Sequence, residues 1–307
     1  MKPTEKRTRL AEFALLFAAI IWGVNSPVIK LGLQYAPPQP YNITRLLLAS
    51  LLSLVLLALS GKYRRMARAD FWALFRISLI GFFVFQYFFI EGIQRTTAGN
   101  AAFMLCLMPV SVLLLNKLYG LEKMTRAILI GISCSVVGIV LIVIGAGREI
   151  SLAGSHLLGS VFLVISQAGY AYYTVFSREL LARYSTYQIT AFLLLMTSAL
   201  LLVVSAPDML RVDWVALPAA AWGSILYSGL LALFLCNFLW IWATGIIGTS
   251  RTAIFNNISP VFAVIAGYFM LGETFGLLQI AGAVLVFYGV HVTRHRKQFG
   301  FRKSSEK

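Results

Sequence analysis

Residues Thr252–Val290 read TAIFNNISPVFAVIAGYFMLGETFGLLQIAGAVLVFYGV. Two apolar runs flank the short turn Leu271-Gly272-Glu273, the first opening on a polar cluster around Pro260 and the second carrying spaced glycines. The pattern recurs 151 residues upstream, where Ala102/Ala253, Pro109/Pro260, Val110/Val261, Glu122/Glu273, Gly131/Gly282 and Gly138/Gly289 all keep that offset. Earlier in each half, Tyr41-Asn42-Ile43-Thr44 is echoed by Tyr187-Gln188-Ile189-Thr190 at an offset of 146. The two offsets describe one duplicated unit with a longer loop in its second copy. Repetition on this scale decides the architecture.

The 307 residues are 59% apolar and 12% charged, with a mean hydropathy of +0.82. A soluble domain carries about a quarter charged residues, so the surface implied here belongs in lipid. Runs long enough to cross a hydrocarbon layer of ~30 Å fall at 12–33, 41–60, 73–92, 98–118, 126–146, 156–177, 187–205, 219–243, 252–271 and 276–293. The chain is therefore expected to be an all-α, multi-pass membrane protein. It divides into a leader (1–11), a first five-helix repeat (12–146), a second (156–293) and a basic tail (294–307). An odd number of spans per repeat makes the second copy enter from the opposite side, which gives two inverted repeats around a central cavity.

The net charge of +15 would suggest nucleic acid in a soluble domain. Its distribution points elsewhere. Alternating the sides places 21 lysines and arginines on the side of the two termini and five on the other. The positive-inside rule then puts both termini in the cytoplasm of a cell (inner) membrane, and the charge sets topology and meets anionic lipid. Cys106, Cys134 and Cys236 sit in separate spans without paired spacing, and the three histidines lie at span ends. Neither a disulfide framework, nor a metal, nor a cofactor is implied.

Polar residues inside apolar spans mark either helix packing or a wet cavity. Asn25 lies beside Pro27, which frees the carbonyl of Gly23. Arg45 stands a turn inside the second span, on one face with Tyr41, either snorkelling to the outer headgroups or meeting a carboxylate. Gln86 interrupts the aromatic run Phe82–Phe89, and Gln167 and Tyr170 are i,i+3 neighbours in the sixth span. Asn256 and Asn257 precede Pro260, which frees the carbonyl of Asn256 just as Pro109 frees that of Leu105. Glu91 with Arg95 reads as a rim ion pair, and the tryptophans of the eighth span as interfacial belts. Glu122 and Glu273 read as carboxylates at the N-termini of the fifth and tenth helices. Each seven-residue glycine pair reads as a close-packing face.

Trp22-Gly23 with Asn25 and Lys30, followed by Arg45, resembles the opening of an EamA-type unit. Gly92…Ala98…Ala102…Pro109…Glu122…Gly131…Gly138 is similar to its close, and Ala253…Ser259-Pro260-Val261…Leu271-Gly272-Glu273…Gln279…Gly282…Gly289 is similar to that close again. The resemblance implies the drug/metabolite transporter superfamily: ten helices, a central cavity and alternating access without ATP, with many members exporting amino acids or related metabolites. It also implies that Asn25 and Arg45 lie near the substrate route. Spans one and six are read as free of acids, unlike the first helix of the four-helix multidrug relatives, so coupling through such a carboxylate does not carry over.

The leading expectation is a secondary carrier, a monomer or homodimer, exporting a small polar or zwitterionic metabolite such as an amino acid. Asn25, Gln86, Gln167, Tyr170, Asn256 and Asn257 would line its cavity, with Arg45 contacting a carboxylate or guarding the outer mouth. A channel or a non-transporting sensor is the alternative. An intramembrane enzyme would need a nucleophile–base pair or paired acids at one depth, and the spans offer neither.

Overall fold

A computed structural model describes residues 4–96, 101, 104–122, 125–145, 154–263, 265 and 276–294. Glu273, Arg148, Ala98, Ala102, the Leu271-Gly272 turn and the tail beyond Arg294 lie outside the described residues. All regular structure within them is helical. In chain order the helices are α1 (Glu5–Gly32), α2 (Pro38–Ser60), α3 (Arg68–Arg95), α4 (Met108–Leu118), α5 (Arg126–Gly145), α6 (Gly154–Leu180), α7 (Thr186–Met209), α8 (Ala219–Ile247), α9 (Thr249–Phe255, continued by a 3-10 turn over Asn256–Ile258) and α10 (Leu277–Arg294). Six of them, α1, α2, α3, α5, α7 and α8, are long and apolar enough to cross a membrane. The chain is a multi-pass membrane protein.

Local chemistry sets the helix ends. Thr4 caps α1 by accepting from the Arg7 amide, and Ser185 caps α7 by accepting from that of Gln188. Prolines open α2 and α4, where a missing N–H costs nothing. Gly61 ends α2 in the left-handed conformation. The third span expected at 73–92 begins earlier and ends later, because Ala67 and Thr96, both extended, bound α3. Two wide π-type segments interrupt the long helices, Ile77–Phe83 in α3 and Tyr227–Leu235 in α8.

The closest packing joins α5 to α10. A side chain at Gly131 would sit 2.6 Å from the Gly289 carbonyl, and one at Gly138 would sit 2.6 Å from that of Gly282. The reciprocal clashes are 2.5 Å for Gly289 on Gly131 and 2.4 Å for Gly282 on Gly138. Only glycine lets the two backbones touch. The order is reversed along the pair, so the helices run antiparallel. The glycine faces expected from the sequence therefore meet each other across the two halves.

Helix α2 lies antiparallel to α7, since Arg64, just past the end of α2, bonds Gln188 at the start of α7. Helix α3 lies antiparallel to α6, with Asp70 near Tyr184 at one end and Thr96 near Ser160 at the other. Helix α1 packs on α8. A core of buried apolar side chains runs through all of these contacts.

Candidate functional site

At its start, α2 places Arg45 in the interior, where it is 1% exposed. Its Nε and Nη2 donate to Asn42 Oδ1 at 2.9 and 2.7 Å, Nη2 also to Gln86 Oε1 at 3.0 Å, and Nη1 to Ser228 Oγ at 2.8 Å. Asn42 Nδ2 in turn donates to the Gln86 carbonyl at 3.0 Å. Asn42 stands three residues before Arg45, so both project from one helix face. Ser228 is delivered by the π segment of α8, whose neighbouring Gly229 presses on the Arg45 backbone, 2.8 Å from Arg45 O to a notional Cβ.

Arginine stays protonated in proteins, and burying its charge costs several kcal/mol. Four charge-assisted bonds, each worth about 1.5–3 kcal/mol, are of the same order. The guanidinium is thus held by neutral groups, without a carboxylate partner among the described residues. At this burial it does not snorkel, one of the two readings the sequence allowed.

Phe85, the chain neighbour of Gln86, belongs to a group of aromatic rings. Tyr170 stacks on Phe85 at 4.5 Å and on Trp240 at 5.4 Å between centroids. Trp22 meets Tyr170 edge-on at 6.3 Å, and Tyr173 stacks on Tyr170 at 5.5 Å. The indole N–H of Trp240 donates to Thr174 Oγ1 at 3.0 Å, and that of Trp22 donates to the Ala232 carbonyl at 3.0 Å. Tyr170 and Tyr173, which are buried, are the hub of these ring contacts. Trp240 corrects the belt assignment: it shares an inward face with Cys236, Asn237, Ala243 and Thr244, all buried.

The third part of the site is where α1 crosses the chain just beyond the 3-10 turn that continues α9. At Gly23 the two touch, a notional Cβ lying 2.8 Å from the Ser259 carbonyl. Around this crossing Asn25 Oδ1, both amide atoms of Asn257 and Ser259 Oγ are buried without a hydrogen-bond partner among the described residues, as are the hydroxyls of Tyr170 and Tyr173. Buried polar groups are otherwise almost always bonded.

Asn256 turns away from Asn257 and donates to the Leu105 carbonyl at 3.3 Å. That is the carbonyl freed by Pro109, and the two residues are repeat equivalents, 151 apart. The Asn256 carbonyl, expected to be exposed, instead accepts the Ser259 N–H within the 3-10 turn. Gln167 is buried on α6 and donates to Ser166 Oγ at 3.2 Å. Of the residues named from the sequence, Arg45 and Gln86 bond each other directly, and Tyr170 joins the rings. Asn42, Ser228, Trp22, Phe85, Tyr173 and Trp240 were not named as lining residues. The i,i+3 spacing of Asn42 and Arg45 was the available signal for the first.

Ion pairs lie at the helix ends. Glu91 bonds Arg95 and accepts from Gln39 Nε2 at 2.8 Å, the rim pair expected. Glu122, read as a carboxylate at the N-terminus of α5, reaches α9. Its two oxygens accept the N–H groups of Thr249 and Ser250 at 3.0 and 3.2 Å, capping α9, and it pairs with Arg178 at 2.6 Å. The reason is Gly248: with φ of +87°, it turns the α9 N-terminus towards Glu122. The reading of span one as free of acids also needs correcting, since Glu12 is buried in α1 and pairs with Arg251.

The profile of the EamA-like transporter family matches residues 9–144 and 157–294. The chain belongs to the EamA-like transporter family. Similar proteins include a "Probable amino-acid metabolite efflux pump" of Salmonella typhimurium, 26% identical over 94% of this chain and 95% of the relative. A "Probable terminal-alkyne amino-acid exporter" of Streptantibioticus cattleyicolor is 24% identical over 96% of each chain. An "Uncharacterized transporter" of Archaeoglobus fulgidus is 25% identical over 92% of this chain and 98% of the relative. A protein of known crystal structure superposes with a TM-score of 0.78 over 93% of this chain and 98% of its own, at 16% identity, which bears on the fold alone. Membership of the EamA-like family makes the chain a membrane transporter of small molecules set in lipid. Metal-binding clusters of three or more His, Cys, Asp or Glu are absent among the described residues of this EamA-like chain.

Proposed function

We propose that the protein is a secondary carrier that exports a small zwitterionic metabolite, an amino acid or derivative, from the cytoplasm across the inner membrane by alternating access. The observation that carries this reading is a fully buried guanidinium held only by neutral groups, adjoining stacked rings and unpartnered polar atoms. A substrate carboxylate would take over one of Arg45's neutral partners, and its side chain would lie against Tyr170 and Trp240. Its ammonium would be held by Asn25 and Asn257, with Gln86 and Gln167 completing the polar lining. Asn256 would act through the Leu105 carbonyl that it holds.

The architecture supports the same reading. The mutual glycine contacts of α5 and α10, together with antiparallel α2 and α7, support two repeats related by an axis in the membrane plane. That arrangement and the basic side of the molecule favour ten spans with both termini cytoplasmic. The relatives named as amino-acid exporters favour the substrate class and the direction.

The test is counterflow of labelled amino acids in proteoliposomes, with Asn257→Ala beside the parent protein. Saturable exchange that falls at least tenfold in the variant is expected. Its melting temperature should stay within a degree or two, because no hydrogen bond is lost among the described residues. Exchange that does not saturate would point to a channel. No exchange of any amino acid by folded protein would remove the substrate class.

A further inference from the structure

A cavity of about 680 Å³ lies far from the aromatic centre, between the Lys62–Arg68 segment and the α6–α7 turn. Arg64, Arg65, Arg68 and Arg183 line it, with Tyr184 and Phe71. Its frame is firmly built. Asp70, also at its wall, is neutralised by Arg183 at 2.5 Å and accepts from the Tyr184 hydroxyl at 2.7 Å. The Ala67 N–H donates to Tyr184 Oη at 3.0 Å, and the amide of Gln188 brackets the Arg64 backbone through bonds of 3.0 and 2.7 Å. Arg64, Arg65 and Arg68, by contrast, are exposed and have no carboxylate partner among the described residues.

Three unneutralised guanidinium forks on a fixed backbone match the oxygens of a phosphate. Exposed aromatic rings stand beside the cavity. Phe71 and Trp72, one turn along α3, are 39% and 52% exposed, and their rings meet edge-on at 5.9 Å. Aromatic rings at that position mark headgroup depth. The start of α8 also carries a tryptophan, Trp222, yet reads Pro218-Ala219-Ala220-Ala221 before it where α3 has Arg68-Ala69-Asp70-Phe71 before Trp72. A ring stands at the start of both helices while the arginines stand at one.

We propose that this cavity is a phosphate seat that holds the headgroup of an anionic phospholipid of the adjoining leaflet, its acyl chains lying along Phe71 and Trp72. The experiment uses the full chain in phosphatidylcholine vesicles containing brominated phosphatidylglycerol or brominated phosphatidylcholine. It reads the part of tryptophan quenching that disappears in Trp72→Phe. A preference for phosphatidylglycerol of about fivefold or more is expected, the effect of even one arginine near an anionic surface.

The preference should vanish in the triple variant R64Q/R65Q/R68Q. It should fall part-way in R64K/R65K/R68K, which keeps the topology-setting charge but loses the forks. Inorganic phosphate, matched to chloride in ionic strength, separates the two sources of the group. Failure to displace the lipid supports a lipid seat, and displacement supports a seat for phosphate from either source. Equal quenching by both lipids, or a lysine variant indistinguishable from the parent, would overturn the proposal, leaving diffuse charge alone. Circular dichroism and gel filtration of each variant confirm that it is folded.

Discussion

Two stretches of this chain began as copies, Tyr41-Asn42-Ile43-Thr44-Arg45 and Tyr187-Gln188-Ile189-Thr190-Ala191. In the first, the Asn42 amide holds a buried arginine and the backbone of α3. In the second, the Gln188 amide reaches out to the loop at Arg64 and ties down a turn at the molecular surface. Tyr41 is fully buried, its hydroxyl 3.4 Å from the Ser224 carbonyl, whereas Tyr187 lies under the Lys62 ammonium at 4.9 Å. One amide has been turned to charge and the other to scaffolding. The difference shows that duplication supplies the frame, and that one position, Arg45 against Ala191, supplies the asymmetry on which a site can be built.

The shared frame should break most severely, and equally in both halves. Gly138→Val or Gly282→Val would each push a side chain into the partner's carbonyl, at 2.6 and 2.4 Å, costing about 3 kcal/mol. Thermal unfolding in detergent should show the two variants losing stability alike; a large loss in only one would mean that the two faces are not equivalent.

The asymmetric position comes next. Arg45→Ala would leave Asn42, Gln86 and Ser228 with unsatisfied atoms, for about 2 kcal/mol, and should abolish exchange. Ala191→Ser should change neither quantity. Transport surviving in Arg45→Ala would make the arginine a packing device.

The smallest effect belongs to scaffolding. Gln188→Ala removes two bonds from a partly solvated loop, about 1 kcal/mol. Counterflow should persist near its parent rate, while protease cleavage at Arg64 or Arg65 rises.

Where the physics was local, the sequence was legible. The freed Leu105 carbonyl follows from Pro109, close packing follows from the glycine heptads, and the repeat follows from its offsets. What could not be read was which groups would answer across the interior. The donor to Leu105 is Asn256, and the helix capped by Glu122 is α9, because both contacts join segments far apart in the chain. Trp240 misled for another reason. A tryptophan near the end of an apolar run suits a headgroup belt or a buried stack equally well, and only the neighbours on its helix face decide. The π segments left no mark in composition, yet the one in α8 aims Ser228 at Arg45.

The bond from Asn256 to Leu105 has a consequence of its own. Twofold exchange would require a matching donor at position 105, and leucine has none, so the contact is made once where perfect symmetry would make it twice. In the carrier proposed above, this one-sided bond would weigh on one of the two inward and outward forms and not on the other.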